Sequence, residues 1–254
     1  MKNITDRHEY ILKKLKENNK VSIADLCEEM NVSNVTIRKD LKVLEDKNLL
    51  FRIKGGASTN NPYAIDRPIL VKETINSDEK NRIAKAAVEM IEDNDSILIG
   101  SGTTAYAVAR HLSPNHPLTV ITPALKVALE LCNKPNIEVL QLGGLIRSNS
   151  SSVAGQYAIR ILDDVSCGVL FLGVDGIDLE FGITISNLTE ATLNQKMLQT
   201  SQKVVVLADS TKFGRRGLGK VCNLEDVDYI ITDQGASKKY ITALEEVGIK
   251  VVVV

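Results

Sequence analysis

Apolar positions in the first sixty residues fall at helical spacing, in three short bursts. Over residues 7–18, Ile11, Leu12 and Leu15 share one face, which predicts an amphipathic helix. Ser22 stands where it can cap a short helix running to about residue 30, with Asp25 in the first turn favouring the helix dipole. Asn31, Val32 and Ser33 leave room for a tight turn and nothing longer. Ser33 caps a second, longer helix, on which Ile37, Leu41 and Leu44 form one apolar stripe. The other face starts with Asn34, Thr36, Arg38 and Lys39, with Lys42 a turn further on. Two helices joined by so short a turn, the second with donors on its first exposed turns, make a shape that enters a DNA major groove. The alternative is a small helical interaction domain whose polar face is merely solvated. After Asn48 the run LLFRIK and then Gly55-Gly56 predict a short strand and turn, or wing, on which Arg52 and Lys54 alternate and could touch phosphates. The DNA-facing set is therefore Ser22, Ser33, Asn34, Thr36, Arg38, Lys39, Lys42, Arg52 and Lys54.

The periodicity then stops. The stretch STNNPYAIDRP reads as a linker, which sets the domains at 1–58, a linker at 59–68, and a body at 69–254. Within the body a helix is predicted from Glu79 to Ile91, with Ile83, Ala86, Ala87 and Met90 inward. Near-continuous apolar runs follow at 96–99, 118–121, 137–140, 167–172, 203–208, 228–232 and 250–254. Helical stretches separate them at 105–112, 124–132, 156–162, 188–200 and 238–247. Strands apolar on both faces and separated by helices mean a mostly parallel sheet covered on both sides, an α/β sandwich.

Composition narrows the classes. With 254 residues, 44 % hydrophobic and 25 % charged, the chain has room for one small and one ordinary domain. Cys27, Cys132, Cys167 and Cys222 show no CxxC spacing, and His8, His111 and His116 show no metal-ligand spacing, so neither a disulfide framework nor a metal site is expected, and no cofactor. The start MKNITDRHEY lacks the apolar core of a signal peptide, and no apolar run approaches the ~20 residues that span a bilayer, so a cytoplasmic protein without membrane contact is expected. Residues 1–58 carry 12 Lys and Arg against 9 Asp and Glu, whereas the remainder carries 19 against 23. A mildly basic head on an acidic body agrees with a polyanion-binding module without establishing one.

In an open parallel sheet, ligands bind where loops leave the carboxyl ends of the strands. After the first body strand comes Gly100-Ser101-Gly102-Thr103-Thr104, opening a helix: small residues admit an anion, hydroxyls donate to it, and the helix N-terminus adds free N–H groups. It lacks a Walker lysine and GxGxxG spacing, which disfavours a nucleotide. Other strand ends carry Thr122-Pro123, Gly143-Gly144 with Arg147, Asp175-Gly176 with Asp178, Glu190 opening a helix, and Asp209-Ser210-Thr211-Lys212. Hydroxyls, glycines, carboxylates and a lysine suit a phosphorylated polyol. Lys212 would neutralise the phosphate or bind a sugar oxygen, and Asp175 and Glu190 would accept hydroxyl protons. The candidate ligand set is Ser101, Gly102, Thr103, Thr104, Thr122, Gly143, Gly144, Arg147, Asp175, Gly176, Glu190 and Lys212; each carboxylate is equally readable as a helix cap or ion pair.

The run VSIADLCEEMNVSNVTIRKDLKVLEDKNLLFRIKGGA, above all TIRKDL and the closing KGGA, resembles the winged helix-turn-helix of the DeoR family of bacterial transcriptional repressors. The likeness extends over nearly the whole chain through SGTT (101–104), LGGLIR (142–147), FLGVDGID (171–178), Glu190-Ala191 and ADSTKFG (208–214), which resemble that family's effector-sensing domain and the folds of ribose-5-phosphate isomerase and coenzyme A transferases. Thr122-Pro123 departs from a family pattern that usually has Asn after the Thr. The resemblance implies a sugar-operon repressor without catalysis, with operator DNA and a phosphosugar seated on the SGTT loop as partners. A homodimer or homotetramer is expected, because one short head offers too little interface for operator specificity. The competing reading is an aldose–ketose isomerase with a DNA-binding appendage, for which Asp175, Asp178, Glu190 and Lys212 supply an acid/base inventory.

Overall fold

Ser22 and Ser33 occupy the capping positions their neighbours dictate. In the computed structural model, which describes residues 3–47, 49–53, 55–59, 66–91 and 96–254, the Ser22 hydroxyl accepts from the amides of Ala24 and Asp25, and that of Ser33 from Thr36. They open α2 (Ile23–Met30) and α3 (Asn34–Asp46); before these lie α1 (Ile4–Asn18) and β1 (Lys20–Ser22). Helix α1 starts earlier than its apolar periodicity, because Asn3 caps it by accepting from the Asp6 amide at 2.8 Å. Ile11, Leu15, Leu26, Ile37, Leu41 and Leu44 are all at most 1 % exposed and make the small core. The wing is real: β2 (Phe51–Ile53) and β3 (Gly56–Ser58) pair antiparallel, and β1, which the sequence pattern did not announce, closes the order β1-β3-β2.

The chain divides into two units, Met1–Ile65 and Asp66–Val254. Of the expected linker at 59–68, Thr59 donates to the Asn19 carbonyl and Asp66 is bonded within the larger unit, while 60–65 lie outside the described residues.

The larger unit begins with α4 (Ile69–Glu73) and α5 (Ser77–Glu89), then β4 (Ser96–Ile99), α6 (Thr103–His111), β5 (Leu118–Thr122), α7 (Leu125–Leu131) and β6 (Ile137–Gln141). A hairpin of β7 (Leu145–Arg147) and β8 (Ser152–Ala154) leads to α8 (Gln156–Ile161) and β9 (Cys167–Gly173). Then come β10 (Gly176–Asp178), β11 (Gly182–Ile185), α9 (Leu188–Thr200), β12 (Ser201–Leu207), β13 (Gly219–Cys222), β14 (Tyr229–Thr232), α10 (Lys238–Glu246) and β15 (Lys250–Val253). All seven apolar runs form one sheet in the order β15-β14-β12-β9-β4-β5-β6, every pairing parallel.

The reason these runs are apolar throughout is visible on β9. Val169 and Phe171 join the core beneath α5, α6 and α7, while Leu170 and Leu172 join the opposite core with α8, α9 and α10. Ala84 rather than Ala86 is fully buried on α5. The antiparallel sheet β10-β11-β13 and the β7–β8 hairpin were not expected. Their strands have three or four residues and several begin with glycine, so they read as turns. Among the described residues no helix is long and apolar enough to cross a membrane.

Candidate functional site

The third helix of the smaller unit, α3, is fixed from behind. Arg7 grips both carboxylate oxygens of Asp40 at 2.7 and 3.0 Å, and Asp40 is 2 % exposed, so α1 holds α3 at its middle. The opposite surface carries exposed Asn34, Arg38, Lys39 and Lys42, with Thr36 half-buried. Arg38 donates to Asn34 Oδ1 at 2.6 Å, which aligns the guanidinium along the helix towards its N-terminus. The other members of the DNA-facing set are differently placed. Ser22 and Ser33 spend their acceptor oxygens on helix caps, and Ser33 also bonds Thr36 Oγ1 at 2.9 Å. Arg52 is drawn back onto α3: its amide donates to Glu45 at 2.8 Å and its Nε lies 3.5 Å from the same carboxylate. Lys54 lies outside the described residues.

In the larger unit, strand order reverses direction between β4 and β9: from β4 the chain moves on to β5 and β6, and from β9 to β12, β14 and β15. Such a switch point opens a crevice at the carboxyl ends of the two strands. The Gly100 amide still donates to Phe171 at 2.9 Å, so the turn at 101–104 begins against the end of β9. Gly102 is the N-cap of α6 with φ +110°, a conformation glycine adopts without strain, and among the described residues no side chain caps this helix. A Cβ at Gly102 would meet no described atom within 4 Å, so there is open space beside the start of this helix.

Asp175 follows β9. Its Oδ1 accepts from Lys72 Nζ at 2.8 Å, and its Oδ2 from the amide and hydroxyl of Ser186 at 2.9 and 2.8 Å. Burial alone would raise this carboxyl, but Lys72, Lys212 and the hydrogen bonds outweigh it and hold it below the usual range. Lys212 follows β12, beside β9. Burial lowers its ammonium, against the pull of Asp175 and Asp209 and with the push of Lys72 and Arg215. No acceptor among the described residues bonds it. Asp209, 2 % exposed, accepts from Asn76 Nδ2 and from the Thr211 amide, each at 3.1 Å, and so fixes the turn that presents Lys212. Burial pushes Lys80 down to about 8, with Lys212 and Lys72 adding to the effect; its ammonium donates to the carbonyls of Lys72 and Ile75 at 2.5 and 2.6 Å.

Three neighbouring strand ends, those of β12, β9 and β4, therefore bring together Lys212, Asp175 and residues 101–104, within about 10 Å at the usual ~4.8 Å strand spacing. The rest of the expected ligand set does not converge there. Thr122 is fully buried, and its hydroxyl accepts from the Ala124 amide at 3.1 Å, so it shapes its own turn. Gly143 and Gly144 follow the edge strand β6, three strands from β9, at a distance of roughly 14 Å. Gly176 is a packing glycine: a Cβ there would lie 2.3 Å from the Arg215 carbonyl oxygen. Arg147 and Glu190 hold each other at 3.0 Å, with Asp66 on the far side of the guanidinium and Glu190 only 8 % exposed. Asp178 is committed to the β10–β11 turn, accepting from the Glu180 and Phe181 amides and pairing with Arg216 at 2.8 Å.

Comparison with known proteins decides the family. A DeoR-like helix-turn-helix domain matches residues 7–63, and the DeoR C terminal sensor domain matches residues 75–234. The chain belongs to the DeoR family. It is 34 % identical over 252 residues to the putative aga operon transcriptional repressor of Escherichia coli O157:H7, a match covering 98 % of this chain and 94 % of that protein. It is 32 % identical over 237 residues to the lactose phosphotransferase system repressor of Staphylococcus epidermidis, with 92 % and 94 % covered. Ribose 5-phosphate isomerase A of Methanocaldococcus jannaschii overlays 54 % of this chain and 55 % of its own at a TM-score of 0.41 and 19 % identity, too remote a likeness to bear on function.

This DeoR-family chain is a DNA-binding transcription regulator, and its crevice contains residues that strand-end reading missed. Lys72 is on α4, Asn76 is the N-cap of α5 and Lys80 lies within α5, elements that precede the seven-stranded sheet in sequence. In the string SDEKNR, Lys80 looks like one more solvated charge; only the fold shows it 6 % exposed. Val35, 63 % exposed on the first turn of α3 among polar side chains, also fell outside the polar pattern. Among the described residues no cluster of His, Cys, Asp and Glu could hold a metal ion.

Proposed function

We propose that this regulator represses a sugar-metabolism operon and is released when a phosphorylated sugar enters the crevice at the ends of β4, β9 and β12. One observation carries the reading: a helix N-terminus and a lysine that, among the described residues, have no side-chain cap and no bonded acceptor, together with an ionised aspartate, follow three adjacent parallel strands at the switch point. The phosphate takes the amides and hydroxyls at 101–104 together with Lys212, and the sugar hydroxyls donate to Asp175. The names of the relatives, repressors of sugar operons, support the same class of effector. Residues 1–58 read DNA, and the larger unit senses the effector and assembles the oligomer.

On the DNA side, Arg38 and Lys39 reach base edges or phosphates, with Asn34 aligning Arg38 and Val35 suited to a thymine methyl group. A duplex selected by the full chain from a random library supplies the probe. Arg38→Ala is expected to cost ~1–3 kcal/mol and relax specificity at one base pair if Arg38 reads a base; a phosphate contact alone would weaken all sequences alike and flatten the salt dependence. Operator affinity unchanged in both Arg38→Ala and Lys39→Ala would remove these residues from the interface. Because two recognition helices ~34 Å apart read two half-sites, sedimentation should show at least a dimer at micromolar concentration. A monomer with full affinity would contradict that.

The effector half is tested by thermal shift on the full chain with a panel of sugar phosphates; a true effector at ~100 times its Kd adds ~2.7 kcal/mol. The isomerase reading is less favoured, since Asp178 is bonded within the β10–β11 turn and to Arg216, and Glu190 is paired with Arg147. No aldose–ketose turnover is expected from the wild type, and measurable turnover would restore that reading.

A further inference from the structure

Residues 66–76 open the larger unit, and they are held to it almost entirely by polar anchors. Asp66 accepts from Arg147, the residue that pairs with Glu190, and from Asn149 Nδ2 at 3.2 Å. The Ile69 amide donates to the Asn149 carbonyl at 2.7 Å. Lys72 holds Asp175, Glu73 pairs with Lys126, and Asn76 holds Asp209. Lys80 fixes the turn between α4 and α5 through the carbonyls of Lys72 and Ile75. Apolar burial adds little. Ile69 is buried, whereas Leu70, Val71 and Ile75 are 66 %, 50 % and 41 % exposed. A segment with few buried apolar contacts sits at the low-stability end of a fold and opens at small cost.

Two of these anchors end on the groups that the effector reading needs. Lys72 occupies Asp175, the acceptor for sugar hydroxyls, and Asn76 occupies Asp209, which fixes the turn carrying Lys212. We propose that residues 66–76 form a strap whose seating reports whether the crevice is occupied: a phosphorylated polyol takes Lys72 and Asp175 from each other, and the strap, the first stretch of the larger unit in the chain, unseats. The inference rests on the effector reading above and adds how occupancy leaves the crevice. The exchange is balanced. Asp175 keeps its two bonds from Ser186 and its neighbour Lys212, a hydroxyl of the effector replaces the ammonium as its third partner, and Lys72 leaves with the strap for water. The effector thus makes contacts in the unseated state that it cannot make in the seated one, which is what a ligand needs in order to shift an equilibrium.

The full chain tests this with two readouts and named probes: inorganic phosphate, glucose 6-phosphate and glycerol 3-phosphate. Any probe that raises the melting temperature should also speed hydrogen exchange at the amides of residues 69–75 by about tenfold or more. Asp66→Ala, with Asp66→Asn as the isosteric control for folding, should bind the selected duplex about tenfold more weakly in the absence of any sugar phosphate. By the same linkage both variants should bind the probe at least as tightly as the wild type and show no smaller a melting shift, because a strap already unseated no longer has to be displaced. A probe that raises the melting temperature while exchange at 69–75 stays unchanged overturns the strap and leaves the effector site standing. Wild-type duplex affinity in a folded Asp66 variant overturns it as well. If no phosphate-bearing probe shifts the melting temperature, the effector reading itself fails and the strap falls with it.

Discussion

Lys212→Ala should leave DNA binding as it is and largely abolish release by the sugar phosphate. The side chain belongs to the larger unit's crevice, and among the described residues nothing accepts a hydrogen bond from its ammonium, so the unliganded protein loses little when it goes. Asp175 stays paired with Lys72 and Ser186. In the liganded state the same ammonium faces a phosphate in surroundings poor in water, where a charge-assisted bond is worth about 1.5–3 kcal/mol, or roughly ten- to 150-fold in effector affinity. Lys212→Met, which keeps the aliphatic stem, should behave alike. Titrating effector into the protein–duplex complex of wild type and variants gives the answer directly. A Lys212→Ala protein that releases DNA at wild-type effector concentrations would remove Lys212 from the site.

A second large effect is expected far from the crevice. Asp40→Ala should destabilise the smaller unit by about 3–5 kcal/mol, because it strands the Arg7 guanidinium where only 14 % of its side chain is exposed. The two-oxygen grip is what sets α3 against α1, so affinity for the selected duplex should fall with stability. Hydrogen exchange at the amides of α1, α2 and α3 reads the first effect and fluorescence anisotropy the second. Replacing both partners, Arg7→Met with Asp40→Leu, should recover most of the lost stability, since two apolar side chains leave no unpaired charge. Fast exchange persisting in the double variant would show that the pair does more than neutralise itself. Asp40 stands in the sequence between Lys39 and the stripe residue Leu41, and nothing local distinguishes it from a solvent-facing charge; the long-range partner does.

Legibility of the sequence followed the length and strength of each pattern. Strands with apolar residues on both faces, such as 167–172 and 203–208, were readable because burial on two sides leaves no polar position to confuse the pattern. The helix caps at Ser22 and Ser33 were readable because a hydroxyl before an apolar stripe has few other uses. The antiparallel strands at 176–178, 182–185 and 219–222 were not, since three or four residues starting with glycine carry no period. The crevice was half legible. Reading outward from strand ends located residues 101–104, Asp175 and Lys212, but it gave each strand end equal weight. Strand order then separates them: it keeps β4, β9 and β12 together and leaves Gly143 and Gly144 at an edge. Lys72 and Lys80 were hidden because a helix that precedes the sheet folds back over it, a relation between positions about a hundred residues apart.

Coupling between the crevice and DNA is what the proposed function requires. The measurement is anisotropy of a labelled, selected duplex bound to the full chain, titrated in parallel with each sugar phosphate and with its unphosphorylated sugar. The expected result is that at least one phosphorylated sugar releases the duplex in a saturable way, while its unphosphorylated counterpart leaves it bound at the same concentrations. Release by both forms alike, or by no phosphorylated sugar that binds the protein, would contradict it.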